Sequence, residues 1–225
     1  MRQRLDEIRA QIASACARVK RDSSSVRLLA VSKTQPLELI EEAYDLGLRD
    51  FGENYVQELV GKREKLAHLP NINWHLIGPL QTNKARLAVA NAEVFHALDS
   101  AKLTQMLGRR AQEIGLGAPW PVFIQVNVDV EASKAGVSPN DLPALITAVR
   151  DEPALKLEGL MCIPEPKSDI EQMRPAFKRL VDLARQHGLT DSKFSMGMSE
   201  DFTVAIEEGA HLIRVGRRLF GPRVQ

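Results

Sequence analysis

The chain has few cysteines, few aromatics and almost no net charge. Its 225 residues include two cysteines, Cys16 and Cys162, which stand far apart and form neither a redox nor a metal-binding pair. A disulfide framework is excluded, and a reducing, cytoplasmic setting is expected. His68, His96, His187 and His211 show no metal-ligand spacing with cysteines or acids. A net charge of +1 provides no field for nucleic acid or an anionic membrane. No run approaches the roughly 18 apolar residues of a membrane span. Met1 to Lys20 carries charges throughout, so it reads as an amphipathic helix and not a signal peptide. There is no Walker loop and no GxGxxG, so nucleotide binding has no support.

What is present is material for a substantial core, 44% hydrophobic and 26% charged. Short apolar runs alternate with helical periods. The strand candidates are Arg27–Ser32, Asp50–Gly52, Asn73–Ile77, Val94–Leu98, Val122–Val128, Leu157–Met161, Lys193–Met196 and Leu212–Val215. Between them lie helix candidates at Pro36–Leu46, Tyr55–Ala67, Asn83–Ala90, Ala101–Ile114, Pro139–Arg150, Ile170–His187 and Glu200–Glu208. Pro36 and Pro139 suit first helical turns, Asp99-Ser100 and Ser199 suit N-caps, and Gly47, Gly115 and Gly188 suit helix ends. Eight strand–helix units predict one domain: an α/β chain closed as a (β/α)₈, TIM-like barrel over residues 26–225, preceded by a helix over 1–20. An open doubly wound sheet is the alternative. A barrel that closes its own sheet edges predicts a monomer.

Chemistry in such barrels sits where strands end. The first strand ends in Lys33. A lysine delivered from an apolar run is seldom buried unless paired or used. Burial disfavours the ammonium, and the uncharged amine is the form that condenses with an aldehyde. A lysine that snorkels to the rim is the structural alternative. Polar clusters end other strands: Gly52-Glu53-Asn54-Tyr55, then His75-Leu76-Ile77-Gly78, and Gln125-Val126-Asn127. Met196-Gly197-Met198-Ser199 reads as a helix opening, and Gly216-Arg217 begins the final segment. The Ser199 hydroxyl and the Gly216 and Arg217 amides could cradle a phosphate. Capping by Ser199 with Glu200 and Asp201 in the first turn explains the same pattern equally well. Arg214 falls on a strand face and requires an acceptor, whether a ring nitrogen, a phosphate oxygen or a carboxylate such as Glu53. His75 could line the pocket or be a structural histidine. A lysine, a phosphate cradle and an arginine able to meet a ring nitrogen together describe a pyridoxal phosphate site.

Seven runs carry a resemblance. LLAVSKT (Leu28–Thr34), FGENYVQE (Phe51–Glu58), WHLIGPLQTNK (Trp74–Lys84), NVDVEASKAG (Asn127–Gly136), GLMCIP (Gly159–Pro164), SMGMS (Ser195–Ser199) and IRVGRRLFG (Ile213–Gly221) resemble, in order, the pyridoxal phosphate homeostasis proteins. These are similar to the N-terminal barrel of alanine racemase. The resemblance covers the chain from about Val26 onward. It implies pyridoxal 5′-phosphate held as an internal aldimine on Lys33, with Asn54 nearby. It also implies phosphate contacts at Ser199 and the Gly216 region, and Arg214 facing the pyridine nitrogen. Members of the family are linked to vitamin B6 homeostasis without established turnover. Many relatives have threonine where this chain has Arg217, so a backbone contact survives there and a hydroxyl contact does not.

Three readings follow. A carrier or buffer of the cofactor, with pyridoxal phosphate-dependent apoenzymes as possible recipients, is favoured. A slow racemase or lyase would need a second base, for which Tyr55, His75 and Lys134 are the candidates. A class I aldolase would also use a lysine Schiff base, but usually on a later strand. Arg217, Arg218 and Arg223 read as a small solvated basic end.

Overall fold

The computed structural model describes residues 1–129 and 135–221. Lys134 and Arg223 lie outside the described residues. Eight parallel strands close on themselves in sequence order: β1 (Arg27–Val31), β2 (Asp50–Glu53), β3 (Asn73–Leu76), β4 (Val94–Leu98), β5 (Trp120–Gln125), β6 (Leu155–Met161), β7 (Lys193–Met198) and β8 (Leu212–Val215). The closing seam is β8 on β1, from Arg27 opposite Leu212 to Ala30 opposite Val215. That seam separates a barrel from a doubly wound sheet.

The helices are α1 (Arg2–Arg18), α2 (Leu37–Asp45), α3 (Val56–Lys65), α4 (Ala85–Asn91), α5 (Ala101–Ile114), α6 (Leu142–Arg150), α7 (Arg174–Gln186), α8 (Phe202–Glu207) and a four-residue α9 (Arg217–Phe220). None among the described residues is long and apolar enough to cross a membrane. Ser100 caps α5 by accepting from the Leu103 amide, and Gly115 ends it in the left-handed conformation.

Several expected boundaries move. Pro139 does not start α6; that helix begins at Leu142, with Pro143 in its first turn. Ile170–Met173 forms a 3₁₀ turn ahead of α7. Met196-Gly197-Met198 does not open a helix but continues β7, and the residue preceding α8 is Asp201, not Ser199. The cause is a register shift between β7 and β8 from Ser195 to Met198, which extends the strand past its apolar run.

Alternation along each strand sends one set of side chains out against the helices and the other into the barrel. Ala30, Phe51, Trp74, Phe95 and Val122 are at most 2% exposed. Phe51 meets Trp74, and Phe95 stacks on Trp120. This outer layer is a continuous apolar core. The inner layer is partly polar, and it positions the site.

Candidate functional site

A cavity of about 480 Å³ opens at the C-terminal ends of the strands. Its size suits a small ligand. Lys33, Asn54, Ser199, Arg214, Gly216 and Arg217 all line it. The structure therefore brings six of the nine expected site residues together from β1, β2, β7 and β8.

The turn that carries Lys33 is clamped on both sides. Ser32 Oγ donates to Glu53 Oε1 at 2.6 Å, and Lys62 Nζ donates to the Ser32 carbonyl at 2.7 Å. The Thr34 amide donates to Glu58 Oε1 at 2.6 Å. Thr34 itself has φ 62°, a left-handed conformation that a β-branched residue rarely adopts. Strain of this kind persists only where surrounding bonds hold it, and it is common at functional sites.

Lys62 holds the clamp together. Its Nζ also donates to Glu53 Oε1 at 2.9 Å and Glu58 Oε1 at 2.7 Å. Glu53 is fully buried, and burial pushes its carboxyl up to about 7 despite Lys62 and Ser32. Its Oε2 is the only buried side-chain polar atom without a partner among the described residues. Glu58 is less buried. Burial raises its carboxyl, but the Lys62 and Thr34 hydrogen bonds outweigh it and hold the group below its usual range.

Arg214 is 4% exposed and does not pair with Glu53, which turns outward to α3. Its Nη1 donates to the Ser195 carbonyl at 2.6 Å and to Ser195 Oγ at 2.8 Å, and its Nη2 donates to the Cys162 carbonyl at 2.9 Å. Three of the five guanidinium N–H groups are thus spent on the wall, which leaves two for an acceptor. Asp201, also on the cavity, accepts from the Met198 amide at 2.5 Å, and burial pushes its carboxyl up.

Three expected residues lie elsewhere. His75 does not line the cavity; it turns into the barrel and bonds His96 and Asp50. Met196 is fully buried in the apolar core. Gly197, with φ +90°, lets β7 press against α8: a Cβ there would sit 2.6 Å from Ala205 Cβ. Gly78 and Gln125, which stand in the strand-end clusters, also line the cavity, as does Gln35, which the sequence did not single out. Gly78 is needed because a Cβ would come 2.3 Å from the Asn54 carbonyl. Its sign in the sequence was a glycine directly after a strand.

The fold and cavity define a class, the (β/α)₈ barrels with a small-ligand site at the C-terminal ends of their strands. The family model described as alanine racemase, N-terminal domain, matches residues 4–224. The pyridoxal phosphate homeostasis protein of Pseudomonas aeruginosa is 47% identical over 217 residues, covering 96% of this chain and 93% of the relative. Its Escherichia coli counterpart is 38% identical over 226 residues, covering 97% and 95%. A solved structure of PipY from Synechococcus elongatus with PLP bound superposes with a TM-score of 0.80 at 37% identity, over 93% of this chain and 100% of that one. The chain belongs to the pyridoxal phosphate homeostasis family.

Proposed function

We propose that this protein binds pyridoxal 5′-phosphate at Lys33 and serves its homeostasis as a carrier or buffer, without efficient amino-acid chemistry. The observation that carries the reading is the cavity that Lys33 shares with a buried Arg214 having two N–H groups unspent. A bound cofactor would supply an aldehyde, and the Lys33 amine would be the group to condense with it.

The donor set fits such a group. Gly216 packs close to β1, where a Cβ would stand 3.3 Å from the Val31 carbonyl, and it precedes a helical turn whose first amides have no partner in the turn before. Those amides and the Ser199 side chain suit a phosphate. The exposed Arg217 adds charge at the rim. Arg214 can only donate and keeps its proton, so it would hold a ring nitrogen as an acceptor. Strong carbanion chemistry would need an acidic partner there instead.

The enzyme reading needs a second base. Tyr55 is 65% exposed and precedes α3, and His75 is committed to His96 and Asp50. Neither position favours the racemase or lyase alternative. Transfer to apoenzymes and a monomeric, cytoplasmic state are parts of the same proposal.

The test is an absorbance spectrum of protein with added pyridoxal phosphate, beside Lys33→Ala, before and after borohydride. The expected result is a visible band, lost in the variant, with a reduced adduct mapping to Lys33. A band that survives Lys33→Ala sinks the reading. Exchange of the α-proton of L-alanine in deuterated water separates the alternatives: none is expected of a carrier, and rapid exchange points to an enzyme.

A further inference from the structure

The barrel interior contains polar groups that cofactor binding does not use. His75 Nε2 lies 3.0 Å from Asp50 Oδ1, and His75 Nδ1 lies 2.9 Å from His96 Nε2. His96 Nδ1 lies 2.9 Å from Ser195 Oγ, which accepts from Arg214 Nη1. The result is an unbroken file from Asp50 on β2 to Arg214 on β8. Its middle crosses the barrel, because β4 and β7 are not neighbours in the sheet. His75, His96 and Ser195 are at most 1% exposed. Asp50 sits at the other end of the barrel from the cofactor cavity, beside a basal hollow of about 340 Å³.

The ends fix the direction of the file. Arg214 only donates, and an ionised carboxylate only accepts. Burial raises the Asp50 carboxyl, but His75 and Arg27 outweigh it and hold it below its usual range. Burial, with the charges of His75 and Arg214, drives His96 well below the usual histidine range, so it is neutral. A neutral ring has one N–H. With both rings neutral, one arrangement satisfies every partner. Ser195 O–H donates to His96 Nδ1, His96 Nε2–H donates to His75 Nδ1, and His75 Nε2–H donates to Asp50. Reversing it puts the His96 proton on Nδ1 and requires a doubly protonated His75. Ser195 would then accept from both His96 and Arg214, and its own proton would lose its acceptor. The tautomer of His96 is therefore fixed by the two ends of the file.

We propose that His75 and His96 are positioning residues for Arg214, whose orientation toward the cofactor site is set through Ser195. This rests on the cofactor reading above. The groups facing the file are Arg27 from β1, Asn73 from β3, the Phe123 ring stacked on His96 from β5, and Cys162 beyond β6. Asp201 adds its charge near Arg214.

The experiment is ¹⁵N NMR of labelled histidine rings in cofactor-free protein from pH 5.5 to 8, with pyridoxal phosphate titrations of wild type, His96→Gln and His75→Gln. At pH 8, His96 is expected to have a protonated Nε2 and a pyridine-like Nδ1. A His96 with Nδ1–H at pH 8, or one that titrates as an independent ring, overturns the proposal. The folded variants are expected to bind the cofactor about tenfold more weakly, with a band shifted from that of wild type. Wild-type affinity and band in both variants at every pH also overturn it. A wild type without any band sinks the cofactor reading, while the NMR arm still decides the file. That arm needs no variant to fold.

Discussion

Lys62→Met tests the clamp behind Lys33. The substitution keeps most of the side-chain volume but removes the cation shared by Glu53, Glu58 and the Ser32 carbonyl. Glu53 already has a folded value of about 7 against an ordinary 4.5, which corresponds to about 3 kcal/mol in favour of the protonated form. The native state thus binds more protons than the unfolded chain between those values. The stability contributed by this group is full below about 4.5 and is lost as pH rises through about 7. Without Lys62 the Glu53 carboxyl moves higher still, so the variant suffers most where wild-type Glu53 is ionised. We expect a loss of about 3–5 kcal/mol at pH 8, typical of breaking a buried pair. At pH 5.5 both proteins hold Glu53 neutral, and the loss falls to about 1–3 kcal/mol, that of the bonds to the Ser32 carbonyl and to Glu58, which stays ionised. Urea unfolding at fixed ionic strength, followed by fluorescence of the buried Trp74 and Trp120, measures both. A second change, Glu53→Gln, should recover most of the loss at pH 8. A loss as large at pH 5.5 as at pH 8 would refute the reasoning.

Two further outcomes follow from the packing. Gly78→Ala places a Cβ 2.3 Å from the Asn54 carbonyl, so Asn54 must move off the cavity wall. Weaker pyridoxal phosphate binding with a stability loss of about 1–3 kcal/mol is expected, read by titration and by urea unfolding. Both thiols are buried, and burial pushes Cys162 up to about 12. Folded protein should therefore leave Cys162 unmodified by a thiol reagent such as DTNB at pH 8, and urea should release it. Rapid labelling of Cys162 in the native state would contradict the burial.

The sequence by itself determined the number and order of the strands and the lysine at the end of the first strand. These depend on local period, and each strand candidate survived with shifts of a few residues at its ends. The six cavity residues were legible for the same reason: they follow apolar runs, and strand ends in a barrel converge on one face. Tertiary structure decided the rest. Alternation says that Leu212 and Arg214 share a face, but not which partner Arg214 meets across the barrel. Closure and register gave it Ser195 and the Cys162 carbonyl and turned Glu53 away toward Lys62. Likewise, a histidine near a strand end reads as a cavity residue, yet His75 faces the interior one layer below, where His96 and Asp50 meet it. The layer a side chain occupies depends on the tilt and register of the closed sheet, and no periodicity along one strand records the height of a side chain on another.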